Sequence, residues 1–131
     1  MSRPRALPAV LGLAIVLRLA VAIALGDRAE PVSGAADQVS YDVLAERVRA
    51  GHGFSFPTPW YPFTEADRPT AHWSFVYTLY LAAVYTLVGH HPLAARVVQA
   101  VASSTSCWFV YRIGTRLFGT RVGLAGAAIT A

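Results

Sequence analysis

The chain has 131 residues, 55% of them hydrophobic and 14% charged, and its net charge of +4 comes from arginine alone, since no lysine occurs. A soluble domain of this size carries about a quarter charged residues, so the composition argues against an ordinary water-exposed globule. No interleaved basic and aromatic platform is visible, so the positive charge is read as membrane topology and lipid contact, with no nucleic acid as partner.

The first apolar run covers residues 7–26. About 20 apolar residues in a helix cross a bilayer core, so this run is the first predicted span. Arg3 and Arg5 precede it, and the positive-inside rule keeps that end in the cytoplasm. A cleaved signal peptide, with Ala22 and Ala24 as its small-residue site, is the competing reading. Arg18 stands against it, because signal cores are short and uncharged. Within a membrane Arg18 must snorkel or find a partner on another helix.

Residues 27–70 form the one long polar segment, which such a first span would leave outside. It contains AADQVSYDVLAERVRAGHGF, residues 35–54. Tyr41, Leu44, Ala45 and Val48 recur with the spacing of one helical face, while Asp42, Glu46 and Arg49 occupy the other. An amphipathic helix of this kind lies on the membrane surface or docks against the bundle. Gly51 and Gly53 end it. Asp37 stands where a helix N-cap belongs, and a cap is its plain structural explanation. From Phe54 to Pro69 four prolines and several aromatics predict an ordered loop without regular structure.

Three further apolar runs follow, over residues 71–88, over 93–111, and from about Val122 onward. Together with the first they predict an all-α, polytopic transmembrane bundle, multi-pass in the cell membrane. Trp73 and Tyr77 fall where interfacial aromatics sit. Residues 89–92 make a tight connection. Arg96, Gln99 and the run Ser103–Ser106 lie in the third span, where small polar residues mark helix–helix contacts. Cys107, the single cysteine, reads as a small packing residue. Counting spans puts Arg112, Arg116 and Arg121 outside, whereas three arginines in a short loop are a cytoplasmic anchor; both placements stay open. The fourth run is cut off at Ala131, so the chain is expected to open a longer protein and to be inactive alone.

Motifs of soluble enzymes are absent: no phosphate-binding glycine loop, GxSxG, HExxH or zinc spacing occurs. His90 and His91 are adjacent, and sequence neighbours point apart, which argues against a metal site there. The remaining chemistry lies in Asp37, Asp42, Glu46, Glu65, Asp67 and Arg68. Their setting resembles a family. A first span containing an arginine is followed by D-Q-V-S-Y-D-V-L-A-E-R-V-R-A-G-H-G-F, then by D-R-P-T directly before the second span. Further on come Y-T-L-V-G, A-A-R-V-V-Q-A and Y-R-I-G-T-R-L-F-G-T-R-V-G-L. Over nearly its whole length the chain looks like the N-terminal part of membrane glycosyltransferases of the GT-C architecture. The protein O-mannosyltransferases and aminoarabinose transferases are the nearest groups.

The resemblance implies one domain over 1–131, the opening part of a multi-span glycosyltransferase. It implies transfer of a sugar from a polyprenyl-phosphate donor to a lipid, glycan or protein acceptor at the outer membrane face. It also implies a catalytic acid in the first external loop, matched by Asp37. A second acid beside a basic residue before a Pro-Pro pair is matched by Asp67, Arg68 and Pro69. Thr70 departs from the second proline, and His72-Trp73 replaces a more usual pair. Tyr41 is taken as substrate-binding.

The chemistry suits these residue types. Attack at an anomeric carbon passes through an oxocarbenium-like state. A carboxylate can take the acceptor's hydroxyl proton, and the phosphate leaves without a general acid. Arg68 can hold that phosphate by paired hydrogen bonds, or else merely anchor the second span. Glu65 reads as a solvated loop acid. Family members differ in whether a divalent metal bridges the acids, so metal use stays open and no other cofactor is implied. The rival class is a non-catalytic membrane protein, a transporter component or small structural subunit. A transporter would set its ionisable groups at the mid-plane of broken helices, whereas here the acids lie outside the spans.

Overall fold

The computed structural model describes residues 6–31 and 36–131; Arg3 and Arg5, on which the expected orientation rests, lie outside the described residues. These contain five helices and no strand: α1 Ala6–Ala24, α2 Asp37–Arg49, α3 Phe75–Val88, α4 Pro92–Phe118 and α5 Thr120–Thr130. The all-α class is as expected. One helix, α1, is long and apolar enough to cross a membrane.

The other expected spans are redrawn. α3 has 14 residues, about 21 Å of helix against a bilayer core of about 30 Å. It begins later than residue 71 because the Ser74 hydroxyl caps it, accepting from the Tyr77 N–H at 3.4 Å. α4 instead outruns residue 111 and continues to Phe118, with Gly119 alone separating it from α5. Arg112 and Arg116 are therefore helical, and no arginine-rich loop exists here. The Arg112 guanidinium lies 5.3 Å from the centre of the Trp108 ring. Arg116 sits in the last turn of α4, where a cation meets the negative end of the helix dipole.

Two compact units arise, one of residues 6–25 with 96–131, the other of residues 26–95. In the first, α1 buries Ala14 and Ala22 while Val16, Val21 and Ile23 stay exposed. Small residues inward and branched apolar residues outward suit a lipid environment. Arg18 finds partners: its guanidinium donates to the carbonyls of Thr130 and Ala131, both at 2.7 Å. α4 and α5 approach closely at glycines, and a Cβ on Gly114 would stand 2.9 Å from the Gly123 Cα. Ser103 and Ser104 both donate to the Ala100 carbonyl of their own helix, and Cys107 is buried as a packing residue.

In the second unit the amphipathic reading of α2 holds on its apolar face. Leu44 and Ala45 are buried, Tyr41 and Val48 pack beside them, and the face docks on Leu81, Ala82 and Tyr85 of α3. The helix stops at a Schellman turn: Gly51, at φ 82°, donates to Val48 and His52 donates to Arg47. Trp73 is not an interfacial aromatic. It is buried with Leu44 and Phe56 in a second small core, because the chain before α3 folds back over α2. The loop that follows α2 keeps three isolated β-bridges, Ser55 with Pro69, Phe56 with Ala66 and Trp60 with Thr64.

Candidate functional site

Asp37 is the first residue of α2 and does not cap it. Ala36 holds the capping position, its carbonyl accepting from Val39 and Ser40 at 3.0 and 3.2 Å, and no side chain completes the cap. The Asp37 side chain is exposed and bonds to no described residue. Its charge still suits the positive end of the helix dipole. The capping explanation is thus removed, and among the described residues the carboxylate has no partner.

Tyr41 lies one turn further on. Its hydroxyl oxygen accepts from the Ser74 N–H at 3.3 Å, and its ring meets Tyr77 edge-on at 4.9 Å. The residue joins the start of α2 to the start of α3, with its own O–H left to donate.

The loop after α2 is pinned by aromatics. Phe56 is fully buried, stacks on Trp60 at 5.2 Å and meets Trp73 at 4.9 Å. The Trp60 indole N–H donates to the Ser40 hydroxyl at 2.8 Å. Asp67 adopts φ 56°, in the left-handed region that aspartate tolerates better than most residues, and its amide donates to the Phe56 carbonyl at 2.8 Å. Its carboxylate pairs with Arg47, which also donates to the Ser55 hydroxyl at 3.0 Å. Arg68 is exposed and stands 3.6 Å from Glu65.

Asp37 opens α2, and the partner of Asp67 lies ten residues later, about 15 Å along the helix axis. The two acids are held by opposite ends of one helix. A hard divalent cation needs several converging oxygens. Among the described residues no three His, Cys, Asp or Glu side chains come together as a metal group.

Sequence reasoning missed three residues that organise this unit. Arg47 was not singled out on the amphipathic helix, yet its side chain is 17% exposed and holds Asp67. Asp42 was placed on the solvent side of α2. It instead accepts from the Tyr85 hydroxyl at 2.6 Å and meets His90 Nε2 at 2.9 Å. Asp27 meets His91 Nδ1 at 2.7 Å and accepts from the Leu93 N–H at 2.9 Å. The His91 hydrogen bond, followed by that from Leu93, holds the Asp27 carboxyl below its ordinary value. The adjacent histidines do diverge, each to its own acid. Two histidines between Gly89 and Pro92, at the corner of α3 and α4, were the one available signal.

Residues 67–131 match the family model described as dolichyl-phosphate-mannose-protein mannosyltransferase. The stretch opens on Asp67 and Arg68 and takes in α3, α4 and α5; Asp37 and Tyr41 precede it. The chain is GT-C mannosyltransferase-like, as its motifs indicated. This is a family of membrane glycosyltransferases that draw on polyprenyl-phosphate sugar donors. Comparisons with curated proteins and with solved structures gave no match.

Proposed function

We propose that the chain is part of a multi-pass membrane glycosyltransferase acting at the outer face of the membrane. A sugar passes from a polyprenyl-phosphate donor to a hydroxyl on a lipid, glycan or protein. The observation that carries this reading is the family match, which begins on the Asp67-Arg68 pair.

Asp37 acts as general base. Among the described residues it is the acid of α2 that shows no partner, and a carboxylate free of ion pairs can accept the acceptor's proton as the glycosidic bond forms. The oxygen–carbon bond to the donor phosphate breaks, and the phosphate leaves with the electron pair. Arg68, exposed beside the loop acids, holds that charge through its planar guanidinium. Asp67 is the supporting acid: with Arg47 it fixes the backbone that presents Arg68. Tyr41 uses its remaining O–H to orient substrate.

A transfer assay with the full-length protein in native membranes, offered a panel of polyprenyl-phosphate sugars, tests the activity. No transfer from any donor would overturn it. The face is tested separately. A cysteine at Thr58, an exposed loop position, should react with an impermeant thiol reagent applied outside intact cells. Labelling seen only after the membrane is opened would place the loop on the other side.

A further inference from the structure

One turn of the pinned loop is exposed far beyond what its anchoring requires. Trp60 and Thr64 close it by mutual backbone bonds of 3.0 and 2.9 Å, and the Thr64 hydroxyl donates to the Trp60 carbonyl at 2.9 Å. Trp60 is in turn fixed to Ser40 and Phe56. The turn therefore has a set shape, yet it holds Phe63 at 98% exposure and Tyr61 at 81%. Water is a poor surrounding for a phenyl ring, and a rigid aromatic held in it is a ready contact surface.

Phe63 is not isolated. It lines an open depression of about 520 Å³ together with Thr64, Glu65, Arg68 and Thr70. The floor is tied down, since the Thr70 N–H donates to the Phe54 carbonyl at 2.8 Å and Arg68 donates to the Glu65 carbonyl at 3.4 Å. The walls thus combine one aromatic ring with two hydroxyls, a carboxylate and a guanidinium, and Pro69 and Ala71 complete them. Glu65 and Arg68 are only loosely joined, at 3.6 Å, and both are largely exposed. Their donors and acceptors can turn toward a ligand.

That combination matches one chemistry. A pyranose ring has a face of C–H groups and a rim of hydroxyls. The face lies on an aromatic ring, and the rim donates to carboxylates, accepts from guanidinium groups and does either with hydroxyls. We propose that this depression is a sugar-binding subsite, with the ring stacked on Phe63 and its hydroxyls met by Glu65, Thr64 and Thr70. The proposal rests on the transferase reading for the identity of its ligand. The sugar is either the head of the donor, whose phosphate Arg68 then holds, or a residue of a glycan acceptor. A purely lipid-facing role for Phe63 is less suited to walls that carry two ionised groups and two hydroxyls.

Saturation-transfer NMR on the full-length protein in lipid nanodiscs tests the site, with hexose 1-phosphates in one arm and methyl hexosides in the other. Ring C–H protons should receive saturation in the wild type. The signal should fall about five-fold or more in Phe63→Ala and persist in Phe63→Trp, as loss and retention of a stacking face require. If the ligand is the donor head, Arg68→Gln weakens the hexose 1-phosphate and leaves the methyl hexoside unchanged. If it is a glycan acceptor, both arms bind alike and ignore Arg68→Gln. Ring signals absent from the wild type, or unchanged in Phe63→Ala, would overturn the proposal. So would strong quenching by nitroxide-bearing lipids of a fluorophore placed at Phe63→Cys in a Cys107→Ala background, because the ring would then lie in the bilayer. Sugar binding without transfer from any donor sinks the transferase reading alone. Transfer that is unchanged in Phe63→Ala, with no ring signal, sinks this subsite alone.

Discussion

The two compact units satisfy their polar groups in opposite ways. In residues 26–95, side chains from different elements bond one another: Trp60 to Ser40, Tyr85 to Asp42, Arg47 to Asp67, His91 to Asp27. In residues 6–25 with 96–131, polar side chains turn to backbone carbonyls. Ser103, Ser104 and Thr130 bond within their own helices, and Arg18 bonds the end of α5. A side chain that bonds the backbone of its own helix needs neither water nor a distant partner, which suits helices surrounded by lipid. A network across elements suits a unit that must hold particular groups in particular places. The contrast teaches where substitutions should alter chemistry, where they should alter packing, and where they should do little.

The largest effect should come from the residue that stands outside the network. Asp37→Asn removes a base but no bond to a described residue, so turnover should drop about 10²–10⁴-fold while thermal stability in detergent stays at the wild-type value. Near-normal turnover would leave Asp37 as surface charge and make Asp67 the acid to test. Next comes the glycine contact of the helical unit. A Cβ on Gly123 would stand 2.7 Å from the Tyr111 carbonyl oxygen and closer still to the Thr115 hydroxyl. Gly123→Ala should therefore lower stability by about 1–3 kcal/mol through overpacking, despite alanine's better helix propensity. A higher Tm would show that α4 and α5 separate without cost.

A paired test sharpens the contrast directly. Trp60→Phe deletes the bond to Ser40 and should cost about 1 kcal/mol. Ser104→Ala deletes only a bond to its own helix and should stay within about 0.5 kcal/mol. Equal losses, measured by thermal denaturation, would erase the distinction between the units. The smallest effect concerns pH. Because the Asp27 carboxyl is held below its ordinary 3.8 by His91 and Leu93, its contribution is complete above that value. It is lost as pH falls through the lowered folded value. Hydrogen-exchange protection of the Leu93 amide should follow this course in the wild type. In Asp27→Asn it should show no such step.

Much of this was legible because it rests on local rules. The period of Tyr41, Leu44, Ala45 and Val48 placed the buried face of α2, and Gly51 marked its end, since a left-handed terminal turn selects glycine. The motif beginning at Asp67 pointed to the family that residues 67–131 match. What was not legible depends on long-range pairing. Trp73 read as interfacial because its position before an apolar run is the same whether it faces lipid or folds back on Phe56. Asp42 read as solvated because helical periodicity does not know of Tyr85 and His90, which are more than 40 residues away. The length of α4 was misread because Arg112 and Arg116 interrupt the apolar run without interrupting the helix. Asp37 remains a proposal from motif order and chemistry.

His90 and His91 stand next to each other on the chain and are held by two acids that lie 15 residues apart in sequence, Asp42 and Asp27. A peptide bond shared by two anchored rings has little freedom to release one and keep the other. Turning the backbone enough to free His90 also swings His91 away from Asp27 and pulls the Leu93 amide off the same carboxylate. The corner between α3 and α4 is therefore expected to behave as a single cooperative unit of local unfolding, opening whole or not at all. That links the segment after α1 to the Asp42 face of α2, beside the direct bond that the Gln38 side chain donates to the Glu30 carbonyl.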